Sequence, residues 1–168
     1  MADLLVPGLW WLHGTLGSNV YLVEADDGRL ALVDTGFASS ARAILDEVTA
    51  LGKPLRHEHP QITPVDLALE GEREVLPGIR AVPVPGHTAG SYCYVVDRLG
   101  AAFVGDLVIS HGGELTRSMR MANQDDERYL RALREFGAVA PEAGLPGHGQ
   151  PVMRGFGEAL RELAALPR

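Results

Sequence analysis

Three times along this chain a short apolar run is halted by glycine and followed at once by an imidazole or a carboxylate. The first is Val82-Pro83-Val84-Pro85-Gly86-His87, the second Phe103-Val104-Gly105-Asp106, and the third Leu145-Pro146-Gly147-His148-Gly149. Ile79 to Val84 carries the β-branched content of a strand, and Pro85-Gly86 ends it. A residue placed just past such a break sits on a loop that a rigid sheet positions, where ligand-binding and catalytic groups concentrate. Between the first two runs, Ser91 to Val96 and Ala101 to Val104 flank Asp97-Arg98-Leu99-Gly100, which predicts a hairpin. A fold that puts imidazoles and a carboxylate at the ends of neighbouring strands is thereby favoured, and chemistry at a metal is the leading explanation.

The remaining chain alternates strands and helices. Gly8 to His13, Asn19 to Glu24 and Leu30 to Asp34 read as strands, the last two joined by a turn at Asp27-Gly28. Ser39 or Ser40 is a candidate cap for a helix whose apolar stripe is Ala41, Ile44, Leu45, Val48 and Leu51, with Gly52 as its stop. Glu70 to Glu74 reads as a polar turn. Asp125 or Asp126 caps a second helix with Tyr129, Leu130, Leu133 and Phe136 on its inner face, and Phe156, Leu160, Leu163 and Leu166 mark a third. No repeat at solenoid periods, no Gly-x-Gly-x-x-Gly and no phosphate-binding loop is present. At 168 residues this predicts one layered α/β domain spanning 1–168.

Bulk properties exclude several classes. A formal net charge of −7 with no basic cluster argues against a nucleic-acid surface. Cys93 is the only cysteine, so no intrachain disulfide framework exists, and its place within a strand pattern predicts a buried, inert thiol. No apolar run approaches ~18 residues and the start lacks a basic leader, so a cytoplasmic protein without a membrane span is expected.

Taken in order, Asn19-Val20-Tyr21-Leu22-Val23, Leu32-Val33-Asp34-Thr35-Gly36, Pro85-Gly86-His87-Thr88, Phe103-Val104-Gly105-Asp106 and Leu145-Pro146-Gly147-His148-Gly149 resemble the metallo-β-lactamase superfamily. The resemblance runs from about Val6 to the last helix. It implies an αββα sandwich and, in typical members, one or two Zn²⁺ ions (or iron or manganese) that activate water for hydrolysis. On that basis His87 is expected as the third histidine of a first metal site, Asp106 as the carboxylate bridging both metals, and His148 as the histidine of a second site. Asp34 is expected as the acid that steadies the ligand loop from outside. Neutral imidazole and carboxylate are suitable donors for such ions.

The family's His-x-His-x-Asp-His signature is absent. Where it belongs, the chain reads His57-Glu58-His59-Pro60-Gln61-Ile62, so only the first two histidines match in spacing. Ordinary element and loop lengths call for roughly 30 to 40 residues there, whereas Lys53 to Pro64 supplies about a dozen. The expectation is therefore a sandwich shortened by loss of a strand-helix unit after the first helix, with His57 and His59 as weaker candidate ligands. His111, in a Gly-rich loop His111-Gly112-Gly113, is a further candidate as a substitute ligand or substrate contact, though a Gly-flanked loop histidine is more commonly just exposed. His13 and the Trp10-Trp11 pair are expected to serve the sheet.

Two functions follow. One is a metal-dependent hydrolase with a degenerate, mononuclear site of His87, Asp106 and His148, acting on a small ester, thioester, lactone or phosphodiester. The other is a non-catalytic, metal-poor relative serving as a scaffold, binding or oligomerisation domain. Loss of a strand-helix unit exposes a sheet edge, so a homo-oligomer is expected in the second case.

Overall fold

The computed structural model describes residues 2–52 and 68–167. The chain divides into two compact units, 1–70 and 71–168. In the first, β1 (Asp3–Val6), β2 (Leu9–Leu12), β3 (Val20–Glu24) and β4 (Leu30–Val33) form an antiparallel sheet in sequential order, followed by α1 (Ala41–Ala50). Leu22 stands opposite Leu32 in the hairpin predicted around Asp27-Gly28, where Gly28 takes a φ of 79° that most side chains resist. Trp10, Leu12, Val20 and Leu22 pack with Ile44 and Val48 of α1, and Leu51 packs partly buried against them. The centre of the apolar stripe read from the sequence is thus the buried face, while Ala41 at its start is exposed. Ser40 is the residue preceding α1, but its hydroxyl does not cap the helix. It accepts the Leu16 amide at 2.8 Å instead, tying a neighbouring loop to the helix start.

The second unit carries the three glycine-terminated runs. Its five-stranded sheet has the order β11 (Ala143–Pro146), β8 (Ala101–Gly105), β7 (Tyr92–Val96), β6 (Ile79–Pro83), β5 (Arg73–Leu76). A two-stranded ribbon of β9 (Val108–His111) and β10 (Glu114–Arg117) accompanies α2 (Asp126–Val139) and α3 (Phe156–Ala165). Cys93 and Val95 of β7 and Ala102 and Val104 of β8 alternate onto one sheet face. There they form a core with Tyr129, Leu133 and Phe136 of α2 and Phe156 and Leu160 of α3. Cys93 is fully buried, and that burial pushes its thiol pKa far up, which leaves it protonated and unreactive as expected. Asp125 caps α2 by accepting the Arg128 amide at 2.9 Å. The carbonyls of Leu163, Leu166 and Pro167 at the end of α3 accept from the Arg117 guanidinium, so a cation closes the helix C-terminus.

Two expectations need correction. The segment Glu70 to Glu74 is not all turn: Gly71 turns, and β5 begins at Arg73 as a charged edge strand. His111-Gly112-Gly113 is a hairpin tip rather than an open loop, since both glycines take positive φ (60° and 89°) and join β9 to β10. The shortened connection, with His57 and His59, lies outside the described residues. Among those described, no helix is long and apolar enough to cross a membrane.

Candidate metal centre

The sheet order explains how distant residues meet. β6 and β8 are each antiparallel to β7, and β11 is parallel to β8. So β6, β8 and β11 point the same way, and their C-terminal ends share one edge of the sheet. The residues carried just past those ends are His87, Asp106 and His148. Their side chains converge: His87 Nε2 lies 3.4 Å from Asp106 Oδ2, and His148 Nε2 lies 3.3 Å from Asp106 Oδ1.

Local backbone chemistry fixes each loop. Gly86 has a φ of 136°, and a Cβ there would fall 2.2 Å from the Tyr129 backbone nitrogen. Only glycine lets the His87 loop press against the first turn of α2. Two amides of the segment leading into α2 then donate to this loop, Asp125 N to Gly86 O and Gln124 N to His87 O. On the opposite side Gly147 N donates to Gly105 O, and Ser110 N to His148 O, which clamp the His148 loop over the ends of β8 and β9. A Cβ on Gly147 would sit 3.0 Å from Asp106 Oδ1, so the carboxylate occupies space that a side chain would fill.

His87 is the most supported of the three. Its Nδ1 has two oxygens at 3.2 Å, Ser118 Oγ and Asn123 Oδ1. Ser118 is buried, and its amide donates to the Tyr129 hydroxyl at 3.0 Å. That hydroxyl donates in turn to Leu107 O at 2.7 Å, the residue after Asp106. Tyr129, read from the sequence only as a core position, thus links the support of His87 to the turn that carries Asp106. Asn123 and Ser118 were invisible as site residues, because neither belongs to any of the glycine-terminated runs.

The carboxylate-to-imidazole separations are longer than a good hydrogen bond. They match instead the edge of a tetrahedron of donors around one zinc, about 3.3–3.4 Å for metal–ligand bonds of roughly 2.0–2.1 Å. Imidazole and carboxylate are suitable donors for a divalent ion, and each of these two imidazole–carboxylate pairs has the spacing of neighbouring zinc ligands. The two edges use different carboxylate oxygens, however. Among the described residues no three His, Cys, Asp or Glu side chains are grouped closely enough to form a preformed cage for one ion.

The other candidates have local partners of their own. Asp34, with an unusual φ of 66°, accepts the amides of Thr35 (2.6 Å) and Gly36 (2.8 Å) within its own turn. His111 is exposed, opposite Glu114 at the tip of the ribbon. His13 is exposed and pairs with Asp3 at 2.9 Å.

No protein-family model matches the chain. An atrochrysone carboxyl ACP thioesterase, AgnL7, of Paecilomyces divaricatus is 26% identical over 185 residues, covering 90% of this chain and 56% of that protein. Thioesterase pkgB of Emericella nidulans is 25% identical over 178 residues, covering 88% of this chain and 49% of that protein. The chain thus spans about half the length of the curated relatives it matches. Both alignments are longer than the 168 residues here, so those relatives carry stretches with no counterpart in this chain. Among solved structures, FIM-1 of Pseudomonas aeruginosa, crystallised in a mono-zinc form, superposes with a TM-score of 0.74 at 20% identity. That match covers 98% of this chain and 94% of FIM-1. Likeness at that identity shows the fold.

Proposed function

We propose that this chain, whose fold is that of the metallo-β-lactamases, is a metal-dependent hydrolase acting on a thioester or a related acyl ester. The observation that carries the reading is the sharing of one carboxylate, Asp106, by two imidazoles at the spacing of zinc ligands. The thioesterase relatives support the choice of a thioester within the broader ester class. His87 and Asp106 form the anchored part of the site. His148 is the more exposed imidazole, 45% against 23% for His87, and supplies the third donor. We read the two compact units as parts of one domain, with Asp34 acting on the site from outside the donor set, and the protein as cytoplasmic.

A bound divalent ion, zinc by preference, supplies Lewis-acid polarisation of the acyl carbonyl and a nucleophilic water at neutral pH. The chain's own residues do the rest. His87 and His148 present ring nitrogens, and Asp106 offers one oxygen to each while balancing positive charge. Ser118 and Asn123 hold the His87 ring against rotation. The expected result is about one zinc per chain by elemental analysis, together with hydrolysis of acyl-N-acetylcysteamine thioesters that chelator abolishes and zinc restores. Protein that stays free of zinc after incubation with excess metal, or rates indifferent to chelator, would remove this reading.

A second reading has its own observation, the lack of a preformed cage among the described residues. It makes the chain a non-catalytic scaffold or binding domain. In both readings we propose self-association, on the sequence reading that the connection after the first helix is too short for a strand and helix that would cover a sheet edge. Sedimentation at micromolar concentration is expected to give at least a dimer, and a monomer at all concentrations would dismiss the proposal.

A further inference from the structure

We propose that Asn123, held by Asp126, is a positioning residue that dictates which nitrogen of His87 carries the proton, and so makes Nε2 the free donor at the site. The inference rests on the metal-site reading above for its purpose, but its physical content stands without any metal. Asn123 Nδ2 donates to Asp126 Oδ1 at 2.7 Å. A carboxylate can only accept, so this bond fixes which way the amide points. The other end, Asn123 Oδ1, has only lone pairs and sits 3.2 Å from His87 Nδ1. Two acceptors do not sit together at that distance without a proton between them. Nδ1 must therefore carry the hydrogen, and the Ser118 hydroxyl, also at 3.2 Å, can rotate to share it.

A neutral imidazole has one ring proton. With Nδ1 occupied, Nε2 is left with its lone pair facing Asp106 Oδ2 at 3.4 Å. A cation between them relieves that opposition, which gives the arrangement its use. Three further features show that Asn123 is held for this task. Asp126 lies in the first turn of α2, where the helix favours negative charge. Its second oxygen faces Arg120 Nε at 4.0 Å. And the neighbouring amides of Gln124 and Asp125 are bonded to the His87 loop itself.

The test reads the tautomer directly. Long-range ¹⁵N–¹H correlation on the metal-free protein above pH 8 is expected to show His87 as the Nδ1–H form. N123L removes the acceptor and is expected to move His87 toward Nε2–H, and to weaken zinc binding about 10- to 100-fold in chelator competition. The double variant N123D/D126N exchanges donor and acceptor while keeping an oxygen against Nδ1, and is expected to restore the tautomer. An Nε2–H form in the unsubstituted protein, or a tautomer unmoved by N123L, would overturn the inference. If the Nδ1–H form is found but zinc does not bind, the positioning role stands and the metal reading falls.

Discussion

Asp106→Asn is expected to lower thioester hydrolysis at least about 100-fold and to leave the protein unable to retain zinc through gel filtration. The magnitude follows from its place in the site. Changes to residues that merely orient ligands cost about 10- to 100-fold, and Asp106 is the one group that both imidazoles face, at 3.4 Å and 3.3 Å. The substitution preserves shape but replaces one oxygen by an NH₂, which cannot donate a lone pair. One of the two imidazoles then faces a group that is not a ligand, whichever way the amide turns. Folding should survive, because the side chain is 40% exposed and the turn around it is held by backbone bonds, Leu107 N to Val104 O and Gly147 N to Gly105 O. Unchanged circular dichroism with lost zinc and lost activity is the expected pattern. Zinc retained at full stoichiometry in this variant would place the ion elsewhere.

The parts of this site that the sequence makes legible are those fixed by backbone punctuation. Pro85-Gly86, Gly105 and Pro146-Gly147 each end a strand, and the residue that follows inherits a position at the sheet's C-terminal edge. That these three ends share one edge of the sheet depends on strand order, which periodicity alone does not encode. It became readable only through the resemblance of five motifs in order. The supports were hidden for a different reason. Asn123, Ser118 and the hydroxyl of Tyr129 act through contacts over 11 to 36 residues of separation, and a serine or tyrosine carries no local signal for such bonds. The ribbon of β9 and β10 was missed because two glycines after a histidine read as an open loop until both adopt the left-handed turn. Ser40 illustrates the converse. Its residue type suits a cap, yet a long-range partner, the Leu16 amide, took the hydroxyl.

Removing a single oxygen from the core should disturb both stability and the site. Tyr129→Phe is expected to cost about 2–4 kcal/mol in urea unfolding, since it removes the hydroxyl bonded to two buried backbone groups, at roughly 1–3 kcal/mol each. Those groups are Ser118 N, 3.0 Å from the hydroxyl, and Leu107 O, 2.7 Å from it. The side chain is wholly buried, so water does not replace the lost partner without opening the core. The ring itself stays packed in the core with Leu133 and Phe136, while the backbone and Cβ of Tyr129 keep their close approach to Gly86. The consequence should reach the metal centre. Ser118 contacts the His87 ring and Leu107 follows Asp106, so both flanks of the His87–Asp106 edge lose a tether. Zinc affinity is expected to fall about 10-fold, in line with the loss of an orienting partner. A stability loss of the expected size with zinc affinity unchanged would show that the hydroxyl serves only the core, and that Ser118 and Leu107 are held in place by the ribbon and sheet alone.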